Sequence, residues 1–209
     1  MPIILVTGFG PFPGAPFNPT GPLAGRLARL RRLRLAGIKI VAHIFPTSYA
    51  AVDRDLPSLI ARHKPDALLM FGLHGRAKTL RIETRARNVL ALLPDASGTA
   101  LPRHTIKAGG PMAVVMPTPT RRLLAAVRAV GVPAALSRDS GRYLCNYLCW
   151  RAAEAATRKG GPNVAAFVHV PPVRRNPLPR GSAGKRRLAA GDLARAGGAI
   201  LCAIASARR

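Results

Sequence analysis

Apolar positions along the chain fall into two rhythms. Ile3–Thr7 is a short, β-branched apolar run, which predicts a buried strand. Gly8-Phe9-Gly10-Pro11-Phe12-Pro13-Gly14 then breaks the pattern. Asn18-Pro19-Thr20 reads as a helix entry, with Thr20 as N-cap of a helix over Gly21–Arg32. Ile38–Ile44 predicts a second strand. Ala50–Arg62 carries Val52, Leu56, Leu59 and Ile60 at helical spacing. Ala67–Phe71 is a third strand, ending in Gly72-Leu73-His74-Gly75. Leu80–Leu92 reads as extended, and Pro94–Pro117 as a long surface loop. Thr118–Val130 is helical by pattern, with Leu123, Leu124, Val127 and Val130 on one side. Ala134–Leu136 predicts a short strand, Cys145–Thr157 a helix, and Val164–Val170 a late strand before Pro171-Pro172. Arg174–Arg180 is a basic, Pro-rich loop, and Ala183–Ala207 a C-terminal helix interrupted near Gly197-Gly198.

Strand, helix, strand, helix, strand implies a mostly parallel, twisted sheet covered by helices on both faces, a three-layer α/β/α sandwich. No repeat and no interdomain linker is visible. The expectation is one domain over residues 1–209, with a basic, Ala-rich C-terminal segment from about residue 173. With 209 residues, 48% of them apolar, the chain can bury a substantial core. No apolar run approaches the roughly 18–20 residues of a membrane span. Met1-Pro2-Ile3-Ile4-Leu5-Val6 has no basic residue ahead of its apolar run, which argues against a signal peptide. Three cysteines do not make a disulfide framework, so the expected compartment is the cytoplasm, with reduced thiols.

Charge complicates this picture. Thirty-three Lys and Arg face eight Asp and Glu, a net charge of +25. Such a balance attracts nucleic acid or anionic surfaces without base specificity, or merely coats a solvated surface with arginine. Six Phe, three Tyr and one Trp are few for a base-stacking platform, and no nucleic-acid module motif occurs.

In open α/β sheets, ligands bind beyond the carboxyl ends of the strands. Four segments deliver chemistry there: Gly8–Phe12, Gly72–Gly75, Ser140–Cys145 and His169. Cys145 follows a Gly141 turn and opens a helix. Free N–H groups and the dipole at that end favour a thiolate and a developing oxyanion. A cysteine there also fits a plain packing role. Cys149, one turn on, and Cys202, in an apolar Ala-rich segment, read as structural. His169 ends an apolar strand and suits a proton carrier for Cys145 or a hydrogen-bonded core histidine. Glu83 could orient His169, or pair with Arg81, Arg85 or Arg87; Glu154 reads as a solvated partner of Arg151 and Arg158. No CxxC or HxxxH spacing occurs and Cys145 with Cys149 is not a zinc pair, so no metal is expected. There is no dinucleotide fingerprint and no P-loop, so no cofactor is expected either.

Taken together, these segments resemble the pyroglutamyl peptidases, or pyrrolidone-carboxylate peptidases, a family of cysteine peptidases. Val6-Thr7-Gly8-Phe9-Gly10-Pro11-Phe12 with Asn18-Pro19-Thr20 is similar to the family's opening motif. Gly72–Gly75 with Glu83, Ala86 and Asn88 resembles its glutamate segment. Ser140 to Tyr147 resembles its cysteine segment, and Phe167-Val168-His169-Val170-Pro171 its histidine segment. The resemblance runs from Ile4 to about Pro171. It implies removal of an N-terminal pyroglutamyl residue from peptides through an acyl-enzyme. It implies Cys145 as nucleophile, His169 as base then acid, and Glu83 as orienter. It implies that Phe9, Phe12 and Tyr143 line the lactam pocket, with the segment around Leu73 offering backbone partners, and that the chain assembles as a homotetramer. Leu73, Thr84 and Leu93 stand where the family pattern has Gln, Arg and a further Arg. The alternative reading is a diverged member, idle as an enzyme, that binds nucleic acid or other anions through its charge.

Overall fold

Three strands form the apolar centre of the sheet: β1 (Ile3–Phe9), β3 (Ala67–Leu73) and β8 (Val164–Val170). They are buried on both faces, which is why they read as continuous apolar runs rather than alternating ones. The structure, a computed structural model, describes residues 2–31, 37–173 and 187–206. The other strands are β2 (Lys39–Phe45), β4 (Leu80–Glu83), β5 (Arg85–Arg87), β6 (Ala113–Val115) and β7 (Ala134–Ser137). The helices are α1 (Thr20–Ala28), α2 (Tyr49–His63), α3 (Thr120–Ala129), α4 (Leu144–Ala156) and α5 (Ala190–Ser206).

Six strands form one sheet in the order β2-β1-β3-β8-β4-β7. The first four run parallel; β4 lies antiparallel to β8 and parallel to β7. The reversal has a simple cause. A parallel crossover takes about a dozen residues, and only residues 74–79 separate β3 from β4. The short segment therefore turns back across the end of β8. Even-numbered residues of β1 and β8, such as Val6 and Val168, pack with α1, α3 and α5. Odd-numbered ones, such as Leu5 and Phe167, pack with α2 and α4. The result is three layers, and each fully buried Leu, Ile or Phe in them contributes roughly 1.5–3 kcal/mol. No helix among the described residues is long and apolar enough to cross a membrane.

Several local expectations need correction. Thr20 does not cap α1: Pro19 does, and the helix starts at Thr20 itself. The Thr20 hydroxyl instead accepts from the Phe9 amide at 2.9 Å, tying the helix start to the end of β1. The helix ends at Ala28, short of the expected Arg32, which lies outside the described residues. The extended stretch after Leu80 is two strands in two sheets, since β5 leaves the main sheet to pair with β6. β6 lies within the segment read as a loop. Helix α5 runs unbroken through Gly197-Gly198. A Cβ at Gly197 would come within 2.7 Å of Leu27 Cδ1, so that glycine serves close helix packing and not a break. Cys202 is exposed on α5 rather than packed inside. The basic loop Arg174–Arg180 lies outside the described residues.

Candidate active site

The sheet register assembles the first part of the site. Gly72 of β3 lies opposite His169 of β8. On the other side of β8, Arg81 of β4 lies opposite His169. Glu83, two residues beyond Arg81, shares its face and reaches back diagonally along the strand pair. Nδ1–H of His169 donates to Oε1 of Glu83 at 2.8 Å. Both side chains are buried, with 4% and 0% exposure. Glu83 Oε2 has no partner among the described residues, so among them His169 alone hydrogen-bonds this carboxylate.

Helix α4 supplies the sulfur. Cys145 is the second residue of the helix, and its sulfur lies close enough to His169 to raise the pKa of the ring. With Nδ1 committed to Glu83, Nε2 is the nitrogen that faces the thiol. Gly72 makes this meeting possible: a Cβ there would stand 2.7 Å from Cys145 Sγ and 2.7 Å from Phe167 Cζ. Burial acts to lower the His169 pKa, but the Cys145 sulfur and the Glu83 carboxylate outweigh it and raise it to about 9. Cys149, one turn along, is fully buried. Burial first, then the nearby Glu83 and Cys145 charges, push its thiol well above the ordinary value, which leaves it inert.

Asn146 holds α4 in place. Its side-chain amide donates to the Arg87 and Val89 carbonyls at 2.8 and 3.0 Å. Its Oδ1 accepts from the Arg87 amide and the Ser140 hydroxyl, each at 2.8 Å. A second brace holds the loop after β1. Asn18 Nδ2 donates to Gly10 O at 3.1 Å, and Thr20 Oγ1 lies 2.8 Å from Asn18 Oδ1. Gly8 leaves room for this brace, because a Cβ there would meet the Thr20 carbonyl oxygen at 2.3 Å.

Two cavities meet at Cys145. The smaller, about 70 Å³, is walled by Phe9, Phe12, Leu73, Leu144 and Tyr143, with Asn18 and Thr47 at its polar edge. The larger, about 370 Å³, is bordered by His74, Arg76, Arg142 and His169. The Tyr143 hydroxyl donates to the Pro94 carbonyl at 3.0 Å, which anchors the ring beside the small cavity. Six of the seven residues singled out from the sequence border these cavities, Cys145, His169, Phe9, Phe12, Tyr143 and Leu73, and the seventh, Glu83, lies buried behind His169. Among the described residues, no group of three or more His, Cys, Asp or Glu is arranged to hold a metal.

This site can be compared with known proteins. The pyroglutamyl peptidase family model matches residues 3–195. The chain belongs to the pyroglutamyl peptidase family. It is 30% identical over 170 residues to the pyrrolidone-carboxylate peptidase of Pyrococcus furiosus, covering 80% of each chain. It is 34% identical over 173 residues to that of Clavibacter michiganensis, covering 82% of this chain and 79% of the relative. The pyrrolidone carboxyl peptidase structure of Thermococcus litoralis superposes with a TM-score of 0.87 at 25% identity, covering 100% of this chain and 97% of the other. The pyroglutamyl peptidase I structure of Bacillus amyloliquefaciens gives 0.85 at 26% identity, covering 99% and 98%. The pyroglutamyl peptidase fold thus extends over the whole described chain. Within it, Leu93 is 60% exposed and borders neither cavity.

Proposed function

We propose that the chain hydrolyses N-terminal pyroglutamyl residues from peptides, with Cys145 as nucleophile, His169 as proton carrier and Glu83 as the group that orients His169. One observation carries this reading: a cysteine at a helix start, beside a histidine whose Nδ1 is held by a buried glutamate, opens onto a small aromatic cavity. A pyroglutamyl ring is small, flat and uncharged. No Asp, Glu, Lys or Arg lines the small cavity, so a free α-ammonium group would be desolvated there without a carboxylate partner. The blocked N-terminus is selected by that cost.

The steps follow from the placement. The sulfur of Cys145 attacks the pyroglutamyl carbonyl carbon as a thiolate, and the carbonyl oxygen becomes an oxyanion. The first N–H groups of α4 have no intrahelical acceptor and can hold it. With Leu93 turned to solvent, those backbone groups carry this role here. The C–N bond then breaks and the His169 imidazolium gives its proton to the leaving amine. Neutral His169 next takes a proton from water, the hydroxide attacks the thioester, and pyroglutamate leaves as the thiol is restored. Glu83 holds Nδ1–H throughout, which keeps Nε2 pointed at the reaction.

The test is hydrolysis of a pyroglutamyl-arylamide beside alanyl- and prolyl-arylamides. Cleavage of the pyroglutamyl substrate alone, blocked by iodoacetamide, is expected. Equal cleavage of the substrates with free amino groups would overturn the reading.

Two further results are expected. Because His169 is raised to about 9, its imidazolium persists through neutral pH and is lost as pH rises through that value. The kcat/KM profile should therefore fall on an alkaline limb near pH 9; a limb near the ordinary imidazole value of about 6.5 would contradict the buried pair. The same linkage adds stability that is complete below about 6.5 and disappears through about 9. The second concerns Gly72→Ala, whose methyl would occupy the space beside Cys145 Sγ. Displacing the sulfur by a fraction of an ångström to an ångström should lower kcat about 100-fold. Steady-state kinetics beside a thermal melt separates that loss from unfolding.

A further inference from the structure

We infer that this enzyme prefers peptides carrying a carboxylate within one residue of the scissile bond, held by a cationic mouth formed by Arg76 and Arg142. The inference rests on the peptidase reading and deepens it. Cys145 borders both cavities. With the lactam ring in the small one, the peptide beyond the scissile bond must leave through the larger one.

No acidic residue lines that larger cavity. Arg76 and Arg142 border it and are exposed. Neither sits on a floppy tail. Arg76 rides a short turn closed by the His74 amide on the Val170 carbonyl at 2.9 Å and the Ala77 amide on the His74 carbonyl at 3.0 Å. Arg142 follows Gly141, whose φ of 85° only glycine adopts freely, and its carbonyl accepts from the Ala91 amide at 2.6 Å. A third cation stands just behind: Arg81 Nη1 lies 3.0 Å from His74 Nε2. Since guanidinium only donates, His74 accepts there as the neutral ring. Burial, then the charges of His169 and Arg81, lower its pKa and keep it so.

Among the described residues, the one carboxylate shown to act on this mouth is Asp139, whose charge Arg142 feels from the exposed side, and none acts on Arg76. Of the chain's eight acids, Asp139 is the nearest in sequence to Arg142, and it accepts from Arg87 at 3.2 Å and from the Gly141 amide at 3.0 Å. Glu83 is held by His169, Asp53 by Tyr147 and Arg151, and Asp55 by Arg54. Asp66 accepts from the Ile3 amide, Asp95 from Ser97 and Tyr49, Glu154 from Arg151, and Asp192 from Arg195. Asp139 does not line the cavity, so on the cavity side a substrate carboxylate is the natural partner for Arg76 and, beside Asp139, for Arg142. It arrives either as the side chain of the next residue or as the C-terminus of a short product.

The test compares kcat/KM for pyroglutamyl-glutamyl-amide, its neutral isostere pyroglutamyl-glutaminyl-amide, and pyroglutamyl-alanine with and without C-terminal amidation. A pyroglutamyl-arylamide runs alongside. At an ionic strength of about 0.01 M, a carboxylate substrate should exceed its neutral control about five- to tenfold, and the ratio should shrink toward one near 1 M salt. The ratio should also collapse in the Arg76→Gln, Arg142→Gln double variant. Either carboxylate arm exceeding its control supports the inference and identifies the source of the charge. Equal rates in both pairs, with the arylamide still hydrolysed, overturn it. Failure to hydrolyse the arylamide instead overturns the peptidase reading beneath it.

Discussion

Replacing Cys145 by alanine should reduce pyroglutamyl-arylamide turnover by at least about 10⁴-fold, as expected when a nucleophile that acts as a unit with its base is removed. The change deletes one sulfur from the meeting point of two cavities, so folding should survive. Cys149 cannot take over. It is buried, its thiol is held well above the ordinary range, and the Glu83 charge opposes its ionisation. Cys202 lies exposed on α5, a helix of the opposite layer. A Cys145→Ala enzyme retaining a tenth of wild-type kcat would show that the sulfur is not the nucleophile. A circular dichroism melt run beside the assay shows whether lost activity is lost fold.

Glu83→Gln should produce the second largest effect. The amide keeps the size of the carboxylate but loses its charge. His169 then loses both the hydrogen bond and the Coulombic attraction with which Glu83 raises its pKa. Glutamine can also present its NH₂ to Nδ1 and select the wrong tautomer. A loss of about 10³–10⁴ in kcat is expected, together with movement of the alkaline limb to lower pH. The pH profile is the diagnostic readout, because a purely structural role for Glu83 would leave the limb near 9. Glu83→Ala is a poorer experiment. It strips a buried, hydrogen-bonded partner from His169, which typically costs about 3–5 kcal/mol of stability and obscures the chemistry.

Much of this architecture was legible from apolar runs alone. β1, β3 and β8 are buried on both faces, and their uninterrupted β-branched and apolar residues declare it. The segments bearing Cys145 and His169 were legible too, since a glycine turn before a helix and a histidine ending an apolar strand are local signals. The direction of β4 was harder to see. Its antiparallel course depends on the shortness of residues 74–79, a constraint of chain reach rather than of side-chain pattern. That reversal matters for Glu83. A rule based on the carboxyl ends of parallel strands does not deliver this residue; the diagonal of the β4–β8 pair does. Gly197 misled for a related reason. Glycine in a helix reads as a break, but here it admits Leu27 of α1 against α5, a contact between residues far apart in the chain. Thr20 misled because its hydroxyl had a strand partner, Phe9, that local helix-start rules do not consider. The role of Asn146 is not legible in the sequence, because its hydrogen bonds to Arg87 and Val89 join segments that only the folded chain brings together.

One measurement addresses the central claim most directly. Wild-type enzyme is mixed with excess pyroglutamyl-arylamide, quenched in acid within the first turnovers, digested, and mapped by mass spectrometry. A pyroglutamyl thioester on the peptide containing Cys145 is the expected result, lost in Cys145→Ala. Turnover without any covalent adduct, or an adduct carried by Cys149 instead, would contradict the assignment of Cys145 as the acyl carrier.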